Sequence, residues 1–197
     1  QYDAYLWAWR IKGNWGGKKL MMDKVILAGF GGQGVMFLGK LLAYAGMGSD
    51  LELCWIPSYG PEMRGGTANC SVILSDEEIH SPVIDKADGA IVLNKPAYEK
   101  FSSRIKPGGV LIVNSSLAKI ENPRTDIKIV EIPATEIANE LGNSSIANMV
   151  CLGALIPSLN LVDLPKIEKA IKKLTSKRPE TFDSNLNAIN KGIEFVK

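Results

Sequence analysis

Two short stretches of the chain hold the residue types that could do chemistry. The first is "GFGGQG", where Gly29, Gly31 and Gly34 match the spacing G-x-G-x-x-G and enclose Gly32 and Gln33. In that pattern the glycines serve a tight turn, a close backbone approach and the packing of a helix against a strand. The helix that opens there offers free N–H groups and a positive dipole end to an anion. A dinucleotide seat also wants an acidic residue about 20 positions on, at the end of the second strand. Asp50 and Glu52 lie near that distance but precede "LCWIP", which sets them at the start of the strand and the wrong end of a sheet. A bound dinucleotide, a purely structural turn, and another anion or a partner's cofactor all stay open.

The second stretch is "SYGPEMRGGTANCSVILSD", which begins at Ser58. Pro57, Gly60, Pro61, Gly65 and Gly66 preclude regular structure and shape the path of a loop. Tyr59, Glu62 and Arg64 sit inside it. The planar fork of Arg64 suits a carboxylate or a phosphate, because it donates parallel hydrogen bonds. Glu62 could instead pair with Arg64 and hold the loop. Solvated charges on a stiff connection are the plain alternative.

Both stretches need elements to carry them. "KVILAGF" is a continuous apolar run of buried parallel-strand type, and "QGVMFLGKLLAYAGM" has helical spacing. "LELCWIPSYG" and "TANCSVILSD" read as strands on either side of the "PEMRGG" loop, a hairpin-like insertion around 52–75. "GAIVLN" is a further strand, followed after Pro96 by the short helix "AYEKFSSRI". "KPGG" reads as a turn into the strand "VLIVNSS". "IKIVEIP" is the last strand, and "ATEIANELG" the helix after it. Beyond that only helices are expected: "SIANMVCLGALIPSL", "LPKIEKAIKKLTSK" and "ETFDSNLNAINKGIEFV", with Pro165 and Pro179 near the starts of the last two. This alternation implies an α/β chain, a single Rossmann-like domain whose open, mostly parallel sheet is flanked by helices and ends in a helical C-terminus. Both candidate stretches follow a strand directly, so both should emerge beyond the carboxyl ends of the strands, where doubly wound sheets place their sites.

Composition narrows the function. Apolar residues make up 46% and charged residues 22% of the 197, ordinary for a soluble protein. The longest apolar run, near "MVCLGALIP", is about half the ~18 residues that cross a bilayer, so no membrane partner is expected. Residues 1–20 contain three of the four tryptophans and read as an extension ahead of a natural start at Met21 or Met22, with a partner-docking arm as the other reading. The domain itself is taken as 21–197. Without Arg10, Lys12, Lys18, Lys19 and Asp3, 19 basic and 20 acidic side chains remain, a net charge of −1. No basic stripe attracts nucleic acid, and the block "KIEKAIKKLTSKR" reads as a solvated helix face. Cys54, Cys70 and Cys151 are scattered, and His80 is the single histidine, so no metal site or iron–sulfur cluster built by this chain alone is expected. The thiols suit a reducing cytoplasm and read as packing, and His80 as an exposed turn residue.

"GFGGQGV", then "IPSYGPEMRGGTANCSVILSD" and "IHSP", resemble the gamma subunit of 2-oxoacid:ferredoxin oxidoreductases. The resemblance runs from about Met22 to the C-terminus and includes "NMVCLGAL", where Asn148 and Met149 match a family pattern. It implies an accessory subunit, inactive alone, of an enzyme that oxidatively decarboxylates a 2-oxoacid to its acyl-CoA and reduces ferredoxin. The loop leans toward the 2-oxoglutarate type; pyruvate, branched-chain and indolepyruvate types stay open. It further implies that thiamine diphosphate, Mg²⁺, an iron–sulfur cluster and coenzyme A belong to the assembled enzyme, none being held by this chain alone. Partners would be alpha and beta subunits, with delta as an open addition, and ferredoxin through the complex. The isolated chain could crystallise as a homo-oligomer. On this reading the Gly29–Gly34 turn, Ser58, Tyr59, Gly60, Glu62, Arg64, Gly65, Gly66 and Asn148 face a cofactor or a neighbouring subunit. Asn148, in an apolar helical stretch, needs partners once buried, either across an interface or as a cap or internal hydrogen bond. Two rival readings are a free-standing NAD(P)-dependent dehydrogenase and a scaffold subunit whose glycine turn is only architecture.

Overall fold

The computed structural model describes residues 20–59 and 67–197. Six strands form one sheet: β1 (Met22–Phe30), β2 (Glu52–Tyr59), β3 (Thr67–Ser75), β4 (Ala87–Val92), β5 (Ile105–Asn114) and β6 (Lys128–Ile132), in the order β2-β3-β1-β4-β5-β6. The pairs β1–β4, β4–β5 and β5–β6 are parallel. β3 pairs antiparallel with both β1 and β2, so it alone runs against the rest. The expected 52–75 hairpin is therefore part of the main sheet, and its second strand is inserted between β1 and the edge strand β2.

Helices α1 (Val35–Met47), α2 (Lys95–Phe101), α3 (Ala134–Glu140), α4 (Ala147–Leu155), α5 (Leu164–Leu174) and α6 (Thr181–Phe195) complete the chain. The larger core lies on one sheet face, where Leu27, Val72 and Ile112 meet Leu38 and Leu42 of α1, Val150 of α4, Ile171 of α5 and Ile189 of α6. Each fully buried Leu or Ile there contributes about 1.5–3 kcal/mol. The other face is covered by α2 and by the segments around Ile84 and Ala118, which enclose Ile26, Ala90 and Val113.

Three local features depart from the linear reading. "KPGG" is not a turn between elements: Lys106–Gly109 lie within β5 as an irregularity, since Ala87 pairs with Ile105 but Gly89 with Val110. α2 begins at Lys95 rather than after Pro96, because Asn94 caps it by accepting from the Ala97 N–H, and Pro96 occupies the first turn, where no donor is needed. Asp23, wholly buried at the start of β1, accepts hydrogen bonds from the Asn160 backbone and side-chain amides and from the Leu161 N–H at 2.8–3.1 Å. That carboxylate ties the chain leading into α5 to the first strand. The expected extension at 1–20 lies almost wholly outside the described residues.

Candidate functional site

Strand register places the two candidate stretches together. Gly29 pairs with Ala68, Phe30 with Thr67, and Tyr59 with Ala68. The backbone therefore leaves β2 at Tyr59 and returns into β3 at Thr67, directly beside the end of β1 where the glycine turn starts. Gly60, Glu62, Arg64, Gly65 and Gly66 lie outside the described residues, but both anchors of their loop sit on this edge. Ser58, exposed, pairs with Asn69 one step back along the hairpin. Glu52 pairs with Ser75, which pairs with Met22, so Glu52 stands at the far end of the sheet as its sequence position implies.

The turn itself is braced from inside. Gln33 folds back so that its Oε1 accepts from the Phe30 N–H at 2.6 Å and from Asn94 Nδ2 at 2.9 Å, while its Nε2 donates to the Leu93 carbonyl at 3.4 Å. These contacts join the tips of β1 and β4, the point where the sheet's connections diverge to either side and where such sheets bind ligands. A side-chain amide thus occupies the mouth of the crevice that a dinucleotide would enter. Gly31 and Gly32 are exposed, and Gly29 is buried. Among the described residues, the backbone N–H groups of Gly31, Gly32 and Gly34 have no partner, and they remain available to something outside.

Gly34 starts α1 at φ +78°, a left-handed conformation that costs other residues about 1–2 kcal/mol. Its carbonyl accepts from Leu38 N–H at 3.0 Å and from Asn148 Nδ2 at 3.4 Å. Asn148 is 6% exposed, and its Oδ1 accepts from the Met149 N–H. The internal hydrogen bond anticipated for Asn148 is therefore present, and it runs to the glycine turn. A Cβ at Gly34 would collide with that amide nitrogen.

Sequence reasoning missed Asn94 and Asn114. Both follow apolar strands, and an Asn directly after such a run is the signal that could have found them. Asn114, 1% exposed, donates through Nδ2 to Thr135 Oγ1 at 3.0 Å, and its Oδ1 is buried with no partner among the described residues. With Gly32, Gln33, Thr135 and Asn148 it lines a pocket of about 180 Å³ beyond the carboxyl ends of β4 and β5. Among the described residues, no charged side chain lines it.

The described residues do not fit an iron–sulfur cluster. Among them, no three His, Cys, Asp or Glu come close enough to share an ion. Burial pushes the Cys151 thiol up to about 12 and the Cys70 thiol up to about 11, Trp55 and the backbone offsetting the latter only in part. Thiols held protonated in this way are poor ligands and nucleophiles. Cys54 is half-buried, and His80 stands exposed in a bend. No described helix is long and apolar enough to cross a membrane.

The family described as pyruvate ferredoxin/flavodoxin oxidoreductase matches residues 24–195. The chain belongs to that family. It is 39% identical over 180 residues to the 2-oxoglutarate synthase subunit KorC of Methanocaldococcus jannaschii, covering 90% of this chain and 95% of the relative. It is 34% identical over 175 residues to the ketoisovalerate oxidoreductase subunit VorA of Methanothermobacter thermautotrophicus, covering 88% of this chain but only 36% of that longer protein. Among solved structures, a keto/oxoacid ferredoxin oxidoreductase gamma subunit from Geobacter sulfurreducens superimposes with a TM-score of 0.74 at 30% identity, covering 88% of this chain and 98% of that one. The 2-oxoglutarate:ferredoxin oxidoreductase of Magnetococcus marinus, with 2-oxoglutarate, coenzyme A and succinyl-CoA bound, superimposes with a TM-score of 0.80 at 26% identity, covering 91% of this chain and 31% of that one. Within the family the chain is of the gamma type, as the two motifs imply, and it has the fold of those neighbours.

Proposed function

We propose that this chain is the gamma-type subunit of an assembled 2-oxoacid:ferredoxin oxidoreductase, and that its glycine-turn edge walls the coenzyme A approach to an active centre held by companion chains. The observation that carries this reading is the convergence of the Gly29–Gly34 turn and both anchors of the Tyr59–Thr67 loop on one sheet edge. The whole enzyme would oxidatively decarboxylate a 2-oxoacid to its acyl-CoA and deliver the electron pair to ferredoxin. Thiamine diphosphate, Mg²⁺ and the iron–sulfur cluster would reside on alpha and beta partners, which would supply that chemistry. Free backbone N–H groups at Gly31, Gly32 and Gly34 suit a polar, anionic ligand arm, and Arg64 adds a cation on the neighbouring loop. Gln33 and Asn148 hold the turn in place.

Two experiments test this. Purification of the native complex should yield partner chains bearing a thiamine diphosphate signature and cysteine-ligated clusters; a chain that isolates alone and oxidises a substrate unaided defeats the proposal. In the purified complex, Arg64→Ala should raise KM for coenzyme A while assembly is retained, and unchanged kinetics would remove Arg64 from the channel. The high identity to KorC over nearly its whole length supports 2-oxoglutarate as the substrate. Faster turnover of pyruvate or of a branched-chain 2-oxoacid would reassign it.

A further inference from the structure

The two edges of the sheet are unlike. β6, at one edge, is five residues long and carries the exposed Lys128 and Glu131. β2, at the other, is eight residues long, and Glu52 at its start is its only charged residue. Among the described residues β3 alone pairs with β2, so the outer side of β2 is unpaired. Strand edges are guarded by shortness, charge or proline, because their free N–H and C=O groups template further pairing. β6 has the first two of these devices. β2 has only Pro57 toward its far end, which leaves residues 52–56 open to a ladder.

The helical face beside this open stretch is apolar and cationic. Leu53 and Trp55 point to it, and with Tyr44 and Met47 of α1 they line a cleft of about 340 Å³. Met47 is 62% exposed, as is 39% of Ile56 on the strand's opposite face. Lys40 Nζ lies 5.9 Å from the Trp55 ring centre, and Lys173 Nζ 4.9 Å from that of Tyr44. Among the described residues neither ammonium has a hydrogen bond or an ion pair, and no carboxylate lines the cleft. Each lysine stem lies along the apolar wall with no anion opposite its charge. Charge therefore selects the occupant. A second copy paired through β2 about a two-fold axis would bring Lys40, poised over mid-strand Trp55, toward its own image. Residues 1–19 hold four basic side chains against one acidic, so they too would bring cations to cations. What fits is an extended segment whose apolar side chains, at alternate positions, enter the cleft while flanking carboxylates meet the lysines.

We propose that the open half of β2 receives an acidic extended segment of a companion chain, added to the sheet as a further strand, with Lys40 and Lys173 meeting its carboxylates. That the segment belongs to a companion chain rests on the subunit reading above; the apolar cleft, the free edge and the unanswered cations do not. Glu52 stands at the far end of the sheet from the glycine turn, so the segment docks without covering that turn.

The full-length, isotope-labelled chain is titrated by two-dimensional NMR at low salt with the end-blocked heptapeptide Glu-Thr-Val-Thr-Val-Thr-Glu, which sets both valines and both glutamates on one strand face. Shifts should concentrate at the amides of Leu53, Trp55 and Ile56 and at Met47. The counterpart with Lys in place of Glu should bind at least about tenfold more weakly. Lys40→Glu/Lys173→Glu should weaken the acidic peptide roughly ten- to hundred-fold with an unchanged circular dichroism spectrum. Lys119→Glu/Lys128→Glu, an equal change of charge remote from β2, should leave it within about twofold. Absent binding, a preference for the Lys peptide, shifts that map away from β2, or equal effects of the two double variants would each overturn the proposal and leave the subunit reading standing. In the purified complex, a carbodiimide should join Lys40 or Lys173 to an Asp or Glu of a companion chain. Links to a second copy of this chain, or to its own Asp3, would overturn the proposal. A chain that forms no complex defeats the subunit reading and with it the companion source, while the peptide titration still decides the chemistry of the edge.

Discussion

Replacing Gly34 by Ala tests the join between the glycine turn and α4, because it adds one methyl at a point where two separate penalties meet. The first is backbone: φ +78° costs a non-glycine residue about 1–2 kcal/mol. The second is contact: the new Cβ collides with the Asn148 amide nitrogen, which must swing away and give up its bond to the Gly34 carbonyl, about 0.5–1.5 kcal/mol. Reduced freedom of the unfolded chain returns about 0.4–1 kcal/mol. The net loss should be about 1–2.5 kcal/mol. Gly32→Ala is the control, since φ is +96° there but nothing lies within 4 Å of the added carbon. It carries the backbone penalty alone, and should cost about 1 kcal/mol less than Gly34→Ala. Urea unfolding with a slope of about 2 kcal/mol/M turns that difference into a midpoint gap of roughly 0.5 M. Combining Gly34→Ala with Asn148→Ala removes the collision, so the double variant should be more stable than the sum of the single losses implies. Equal midpoints for Gly32→Ala and Gly34→Ala, or strict additivity with Asn148→Ala, would refute a contact between Asn148 and the turn.

Asp23→Ala strips the acceptor from the Asn160 and Leu161 N–H groups, and should cost about 3 kcal/mol, a fall in Tm of roughly 6–12 °C by calorimetry. Gly192→Ala drives a methyl into the Val150 carbonyl where α6 crosses α4 at Gly153, and should cost about 2–3 kcal/mol, whereas Gly48→Ala, with open space around it, should lie within about 1 kcal/mol of wild type or above it. Among the described cysteines, Cys54 should react with a disulfide reagent at pH 8 well before Cys70 and Cys151, and fast labelling of either buried thiol in the folded chain would contradict their burial. Because the folded thiols keep their protons after the unfolded ones near 9.0 have lost theirs, their contribution to stability is complete below about pH 9. It is lost as pH rises toward about 11 for Cys70 and about 12 for Cys151.

What could be read from the sequence divides along the range of the interactions. "KVILAGF", "GAIVLN" and the helix after "GFGGQG" were legible because apolar runs and glycine spacing are local signals. The reversed sense of β3 was not legible, since "TANCSVILS" has the same alternation whichever neighbour it pairs with, and pairing is fixed by partners elsewhere in the chain. Asp23 shows the same limit, as its donors lie 137 and 138 positions away and nothing in "MMDKV" announces them. The site itself was half legible. Glycines at 29, 31 and 34 say that backbone must turn sharply there, but not what fills the space so created. Gln33 decides that, and only with the tip of β4 in place, because Leu93 and Asn94 hold its amide across the crevice. An amide fixed at that mouth satisfies the Phe30 N–H from within, while the N–H groups of Gly31, Gly32 and Gly34 have no partner among the described residues. A turn braced in this way is rigid before any ligand arrives, so whatever meets it loses little in ordering it. The same geometry serves a docked subunit or an anionic arm equally well, which is why the Arg64 cation of the neighbouring loop, rather than the glycines, must carry the distinction between the two.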